Sequence, residues 1–517
     1  MVLKFSFKYI SLSTAKKFAG QTAVYGVSTI AGRVLSFFLT PVYTAAYRTG
    51  AYGILTTMFS YVSILNAVMA FGMETTFFRY LNKHADNKRQ VYNNAFASVF
   101  AITLIFLLLT LPFTGHIADF INVSTPIKAH SGNIAAVGTT HADFIKYVDY
   151  FIAILVIDAW CVIPFAQIRA DGKPGRYATI KLINIFLFIS LNLIFIWGLP
   201  FWMNHHLPGS GVVAQWYVKG WVGYVFLSNL ISSIVTFIIL LPELLKIRFD
   251  FNGKMLANMY SYSWPVLIAN LSYIINENMD KLLLGKLLPA GHSLDDVGIY
   301  GACAKISLFL SIFIQAFRLG AEPFFFSHAK NKNAGQTYAR IMDYFVIAIC
   351  VIFIGLIANI EILKYFIPNK SYWVGLPVVP PLVFGYVSLG IYMNLSVWYK
   401  LSDQTKYGFY ISGVGALLTI VLNVMFIPKY SYMASAWVSL IAYAVMMVLS
   451  YIWGQRNYPI PYNLKKNLVY IVSSIIVVYL SFYVFNRNIY IGDAMLLVYV
   501  SVAFYFEREN LRAIFKA

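Results

Sequence analysis

The sequence predicts an all-α integral membrane protein: 14 transmembrane helices, built as two six-helix lobes related by a pseudo-two-fold axis, plus two C-terminal helices. Three observations carry this. The 517 residues are 60% hydrophobic and only 11% charged, with a mean hydropathy of +0.69, whereas a soluble domain carries about a quarter charged residues. The apolar residues gather into runs long enough to cross a bilayer, which takes about 20 residues of helix. A stretch of the first half also recurs 248 positions later.

The runs fall at about 20–44, 52–74, 94–114, 145–168, 177–199, 218–241, 262–288, 298–319, 341–366, 374–398, 407–427, 433–453, 467–485 and 489–506. Lys and Arg between them set the orientation, because cytoplasmic loops are enriched in both. With the N-terminus inside, 27 basic residues fall in cytoplasmic segments and nine outside, so both termini are expected in the cytoplasm. The net charge of +19 is mostly this topology signal. A basic face toward anionic headgroups needs no nucleic-acid partner. The basic N-terminal stretch lacks a small-residue cleavage site, so the first helix is expected to stay. The outer segments near 115–144 and 200–217 are too short for a core of their own. Asn122-Val123-Ser124 in the first of them matches a glycosylation acceptor. Cys161, Cys303 and Cys350 lie in apolar runs and read as free thiols; His205-His206 is an adjacent pair without metal-ligand spacing.

The repeat is read without gaps. FGMETTFFRY at 71–80 falls on LGAEPFFFSH at 319–328, so Gly72 meets Gly320, Glu74 meets Glu322, and Phe77-Phe78 meet Phe325-Phe326. Upstream, Tyr52-Gly53 fall on Tyr300-Gly301, Gly50 on Gly298, Pro41 on Pro289, and Arg33 on Lys281. Over 33–80 there are 12 identities, and apolar bias does not explain aligned Gly, Pro and Glu. Six spans separate the copies. Six is even, so the halves share one orientation and are related by an axis along the membrane normal. The expected division is 1–260 for the N-terminal lobe, 261–455 for the C-terminal lobe, and 456–517 for the last two helices and tail.

Charges inside the spans are the candidate site. A cation facing lipid at depth costs several kcal/mol, so it is expected in a water-filled interior or beside a partner. Three basic residues remain once the loops are counted: Arg33, Lys281 and Lys305. They read as a cationic cavity between the lobes, built for an anion. The bland alternative is a satisfied ion pair; Lys281 has Glu277 four residues before it and Asp280 beside it. Glu74 and Glu322 sit near helix ends, and Arg318, four residues before Glu322, is placed to neutralise it. These acids and Arg318 are assigned to coupling or gating, with a helix-end closure written once in each lobe. Asp158, a lone acid in VIDAWCVIP, reads equally as a partner of Arg33 or Lys281 and as a titrating coupling group. Tyr25, Asn66, Asn270, Tyr273 and Asn276 are candidate sugar contacts.

Several stretches resemble the polysaccharide biosynthesis protein family, the lipid-linked oligosaccharide flippases of the multidrug/oligosaccharidyl-lipid/polysaccharide exporter superfamily. They are GRVLSFFLTPVYTAAYRTGAYGILTTMFSYVSILNAVMAFGMETTFFRY at 32–80, MDKLLLGKLL at 279–288, DVGIYGACAKIS at 296–307 and FRLGAEPFFFSHAKN at 317–331. The resemblance implies two six-helix lobes around a cationic cavity and a polyprenyl-pyrophosphate-linked oligosaccharide as substrate, moved from the cytoplasmic to the outer leaflet of a bacterial inner membrane for O-antigen, capsule or exopolysaccharide assembly. It places Arg33, Lys281 and Lys305 at that cavity. Membrane lipids, a glycan polymerase and glycosyltransferases follow as partners, and H+ or Na+ as candidate coupling ion. No cofactor and no metal is expected. A drug/cation antiporter of the same superfamily is the alternative, though it would favour an acidic site. A membrane glycosyltransferase or polymerase is the remaining one: no Asp-x-Asp occurs and no large outer loop. No Walker A sequence occurs either, which removes ATP as the direct drive.

Overall fold

The computed structural model describes residues 34–516 apart from 36, 122–139, 249–250, 290–291, 330, 332 and 403. Tyr25, Arg33, most of the first expected span and the Asn122–Ser124 tripeptide lie outside these residues. Every regular element among the described residues is helical. The main ones are α1 (Leu39–Ala46), α2 (Thr49–Ala70), α3 (Met73–Lys83), α4 (Lys88–Thr110), α5 (His141–Ala170), α6 (Pro174–Leu193), α7 (Gly223–Leu244), α8 (Gly253–Leu287), α9 (Ser293–His328), α10 (Ala334–Ala358), α11 (Val379–Leu395), α12 (Lys406–Asn457), α13 (Leu464–Tyr479) and α14 (Ile489–Lys516). Among the described residues, 11 helices are long and apolar enough to cross a membrane. They hold twelve of the expected runs, because α12 spans both 407–427 and 433–453. The run at 262–288 lies in α8, which is too polar for that count, and 20–44 is mostly undescribed.

Local chemistry explains the boundaries. Thr140 and Asp143 form a reciprocal cap that starts α5. Pro174 opens α6, where its missing N–H costs nothing. Asn252 caps α8 by accepting from the Met255 N–H at 3.0 Å. Phe71 and Gly72 take left-handed φ values of 47° and 66°, which breaks α2 from α3. A Cβ on Gly72 would also stand 2.9 Å from the Ser263 carbonyl, so only glycine fits. The 52-residue α12 is kinked at Ser431, φ 48°. The Ser431 hydroxyl donates to Asp296 at 2.5 Å, which holds the kink against α9.

In the first half, α5 is the hub: α2, α4 and α7 pack on it, with Phe59, Phe151 and Phe226 in edge-on and tilted contact. In the second half, α12 packs along α8 and α11, α9 lies on α11, and α13 and α14 dock on α10. The expected division at 260/261 falls inside continuous α8. Met255 and Met259 on its first turns belong to the core of α3, α4 and α5. Further along α8, Asn276 is buried against α12: it accepts from Thr419 at 2.9 Å and donates to the Ser412 carbonyl at 3.3 Å. Cys161, Cys303 and Cys350 are free and buried.

Candidate functional site

The site is built where the halves meet, between α2 on one side and α8 and α9 on the other. Glycine lets the backbones touch. A Cβ on Gly53 would collide with the Leu294 carbonyl, one on Gly298 with the Thr49 carbonyl, and one on Gly301 would stand 2.7 Å from Thr56 Oγ1. Thr49 meets Asp295, Gly53 meets Gly298 and Thr56 meets Gly301, so α2 and α9 run in the same direction, as the even spacing of the repeat requires. Polar contacts close this end. Thr49 donates to Asp295, the Tyr372 hydroxyl donates to the Tyr47 carbonyl at 2.9 Å, and Lys286 donates to the Phe120 carbonyl.

The cations sit one turn below that closure. Lys305 follows Gly301 by four residues and so shares its helix face. Lys281 precedes Gly285 by four, and a Cβ on Gly285 would lie 4.0 Å from Thr57 Oγ1. The two lysines are near enough for their charges to repel. Their surroundings differ. The Lys281 ammonium donates to the Asp280 carboxylate at 2.9 Å and to the Glu277 carbonyl at 2.5 Å. Asp280, 2% exposed, also accepts from the Lys281 N–H at 2.9 Å and the Tyr300 hydroxyl at 2.6 Å. Among the described residues, Lys305 has no ion pair and no hydrogen bond. The expected site cations are therefore one neutralised and one free; Arg33 lies outside the described residues. The Glu277 carboxylate accepts from Tyr273 at 2.9 Å and does not bind Lys281 through its side chain.

Three other expectations need correction. Glu322 pairs with Lys400 at 2.5 Å, not with Arg318. Arg318 is exposed and lines the same cavity as that pair, while the end of the tenth expected span delivers Lys400 to the glutamate. Glu74 pairs with Arg169 at the end of the fourth span. Each repeated glutamate thus ties two helices of its own half, which is bracing within a half, not contact across the halves. Asp158 does not reach Lys281: its polar neighbours are Ser233 and Lys181. Lys181, counted from sequence among the loop cations, is about 10 Å into α6, its ammonium 4.3 Å from the Phe165 ring centre. Finally, Asn276 is spent on α12 and is closed to a sugar. Asn270 is exposed and Asn66 half-buried. Sequence reasoning missed Tyr300, Lys181, Arg169 and Lys400. The last two were findable, since each is the first cation after the fourth run of its half.

Comparisons agree with this architecture. A family model described as polysaccharide biosynthesis protein matches residues 177–322, and the MatE model matches 265–425. An uncharacterized membrane protein of Methanocaldococcus jannaschii is 22% identical over 435 residues, 78% of this chain and 76% of its own. Among solved structures, the lipid II flippase MurJ in an inward closed conformation covers 95% of this chain and 100% of its own, with a TM-score of 0.69 at 16% identity. An inward-facing multidrug resistance MATE family transporter covers 84% of this chain and 94% of its own, with a TM-score of 0.63 at 12% identity. With that fold and 11 apolar helices among the described residues, the chain is a multi-pass membrane protein, parts of which match the polysaccharide biosynthesis protein and MatE family models.

Proposed function

We propose that the protein is a flippase that moves a polyprenyl-pyrophosphate-linked oligosaccharide from the cytoplasmic to the outer leaflet of a bacterial inner membrane, by alternating access between two six-helix lobes. The observation that carries the proposal is Lys305, a cation without a partner among the described residues, one turn below the contact between the halves, with Lys281 beside it. An ammonium at membrane depth left unpaired is costly unless water or an anion meets it. A pyrophosphate supplies that anion, the sugar chain occupies the space between the lobes, and the prenyl tail stays in lipid. The polysaccharide-synthesis match over 177–322 supports the glycan. Arg33, aligned with Lys281, is assigned to the same grip. Glu277 and Asp158 remain the candidate coupling acids, with H+ or Na+ or the membrane potential as drive; one charge crossing 100 mV is worth about 2.3 kcal/mol. Both termini face the cytoplasm, which puts the Gly53–Gly298 contact on the outer side.

The second reading, a drug/cation antiporter of the same superfamily, is favoured by the MatE match over 265–425. It requires an acidic site, and the free group beneath the contact is basic. The test is transfer of a polyprenyl-pyrophosphate-linked glycan across proteoliposomes by the wild type and Lys305→Ala, both checked for correct folding. Transfer should be lost in Lys305→Ala and partly kept in Lys305→Arg. Unchanged transfer in Lys305→Ala would remove the cationic grip.

A further inference from the structure

Lys281 has a neutralising partner and, among the described residues, Lys305 has none, although the two sit on neighbouring helices, each one turn from a glycine of the helix crossing. The partner is unusually well built. Asp280 is 2% exposed, and both of its oxygens are used: one meets the Lys281 ammonium at 2.9 Å and the Lys281 N–H at 2.9 Å, the other the Tyr300 hydroxyl at 2.6 Å. Tyr300 is itself 1% exposed, so Asp280 is fixed from the α9 side. The Lys281 side chain keeps 19% exposure, against 3% for the Asp280 side chain. An incoming group therefore reaches the ammonium without displacing Tyr300.

Resting on the anion site proposed above, we propose that Asp280 is a positioning residue that competes with the transported anion for Lys281. The anion first meets Lys305, whose charge is unopposed among the described residues. It then shares Lys281 with Asp280, which keeps its Tyr300 hydrogen bond throughout. Return of Lys281 to Asp280 weakens the grip and lets the anion leave. Two free lysines at this depth would hold a pyrophosphate tightly and release it slowly, since charge-assisted bonds are the strong ones and truncation of buried charge partners acts chiefly on dissociation. A carrier needs both capture and release, and the fixed carboxylate supplies the second. Glu277 faces Tyr273 and gives Lys281 only its backbone carbonyl, so it does not duplicate the role.

The experiment uses the purified full-length protein in detergent, with farnesyl pyrophosphate as the probe, and reads Kd and dissociation rate. Asp280→Asn retains an acceptor for Tyr300 and removes the charge. It should lower Kd by about tenfold, almost all through slower dissociation. The gain should vanish when Lys281 is also changed to Gln, which separates an action through Lys281 from a general field effect. Unchanged or weaker binding in Asp280→Asn, with binding still lost in Lys305→Ala, overturns the competition and leaves the anion site standing. Unchanged binding in Lys305→Ala overturns the anion site itself. If Asp280→Asn alone fails to fold, the Asp280→Asn, Lys281→Gln pair removes both charges at once. Its Kd should stay within about threefold of wild type, because the net charge of the site is unaltered; a loss as severe as that of Lys305→Ala overturns the proposal.

Discussion

Gly53 lies against Gly298 with no side chain between them: a Cβ added to Gly298 would fall 3.0 Å from the Gly53 nitrogen. Backbone contact of this kind ties α2 to α9 through dispersion and close approach, the usual basis of helix association in lipid. Each glycine is therefore a position where one methyl must part the two halves.

Gly53→Ala or Gly298→Ala should cost about 1–3 kcal/mol, the range for overpacking a tight contact. The measurement is thermal unfolding in detergent, together with disulfide formation in a Thr49→Cys, Asp295→Cys variant. That pair should crosslink readily in the parent and poorly once alanine is added. Equal crosslinking in both would mean that the helices do not rely on this contact.

The repeated glutamates give a different expectation. Arg169 and Lys400 each bind one of them, but every partner is partly exposed, with side-chain exposures of 37% and 45% in the Glu74 pair and 30% and 34% in the Glu322 pair. Solvent screening limits such pairs to about 1 kcal/mol or less. Lys400→Ala should therefore lower stability slightly, and a double-mutant cycle with Glu322→Gln should show coupling. Arg318→Ala should show none with Glu322, and coupling there would restore the i−4 pairing expected from sequence.

The helical runs and the shared direction of α2 and α9 were legible because they follow from hydropathy and parity, whereas the break at Phe71–Gly72 and the kink at Ser431 were not. The partners of buried charges were not, because they depend on which helices become neighbours. Asp280 and Glu277 looked interchangeable beside Lys281. The choice is made by Tyr300, 20 positions away, whose hydroxyl fixes Asp280. Lys181 was lost to the loops because its flanks, Ile180 and Leu182, continue a polar start into an apolar run. The repeat also misleads in detail: Gly72 has φ 66° and ends α2, whereas its mate Gly320 lies inside unbroken α9 with open space around it. Identity in sequence marks common origin there, not a common backbone.

Topology is testable by impermeant cysteine labelling. The segment 199–216 forms two short helices beyond α6 and exposes Phe201, Trp202 and Trp216. Cysteines at His205 and His206 should be labelled from outside. One at Arg456 should be labelled only after the membrane is opened, and external labelling there would invert the proposed orientation.

Asn276 separates the structural from the sugar-binding assignment. Its amide joins α8 to α12 through Thr419 and the Ser412 carbonyl. Asn276→Ala should cost about 1–3 kcal/mol by leaving buried partners unsatisfied, visible as a lower melting temperature. Unaltered stability with reduced glycan transfer would return it to the sugar path.

The last two helices are held to α10 at both ends, and their attachment turns on one lysine. Lys466 on α13 lies 2.7 Å from Glu507 of α14 and 3.5 Å from Asp343 of α10. The Glu507 and Asp343 side chains are 7% and 13% exposed. Tyr470 adds a hydrogen bond to Glu507 at 3.3 Å. At the far end Asn359 donates to Asp493 at 2.8 Å, and Arg487 pairs with Glu361 at 3.4 Å. Removing the lysine leaves two largely buried carboxylates beside each other without the cation they share, and breaking a buried pair from one side typically costs about 3–5 kcal/mol. Lys466→Met should thus loosen α13 and α14 together and expose the connection at 458–463 to protease. Asp343→Asn with Glu507→Gln in the same background should restore much of the loss, since no charge is then left unpaired. Protease resistance of Lys466→Met equal to wild type would mean that apolar packing alone holds the pair in place, with the charges as passengers.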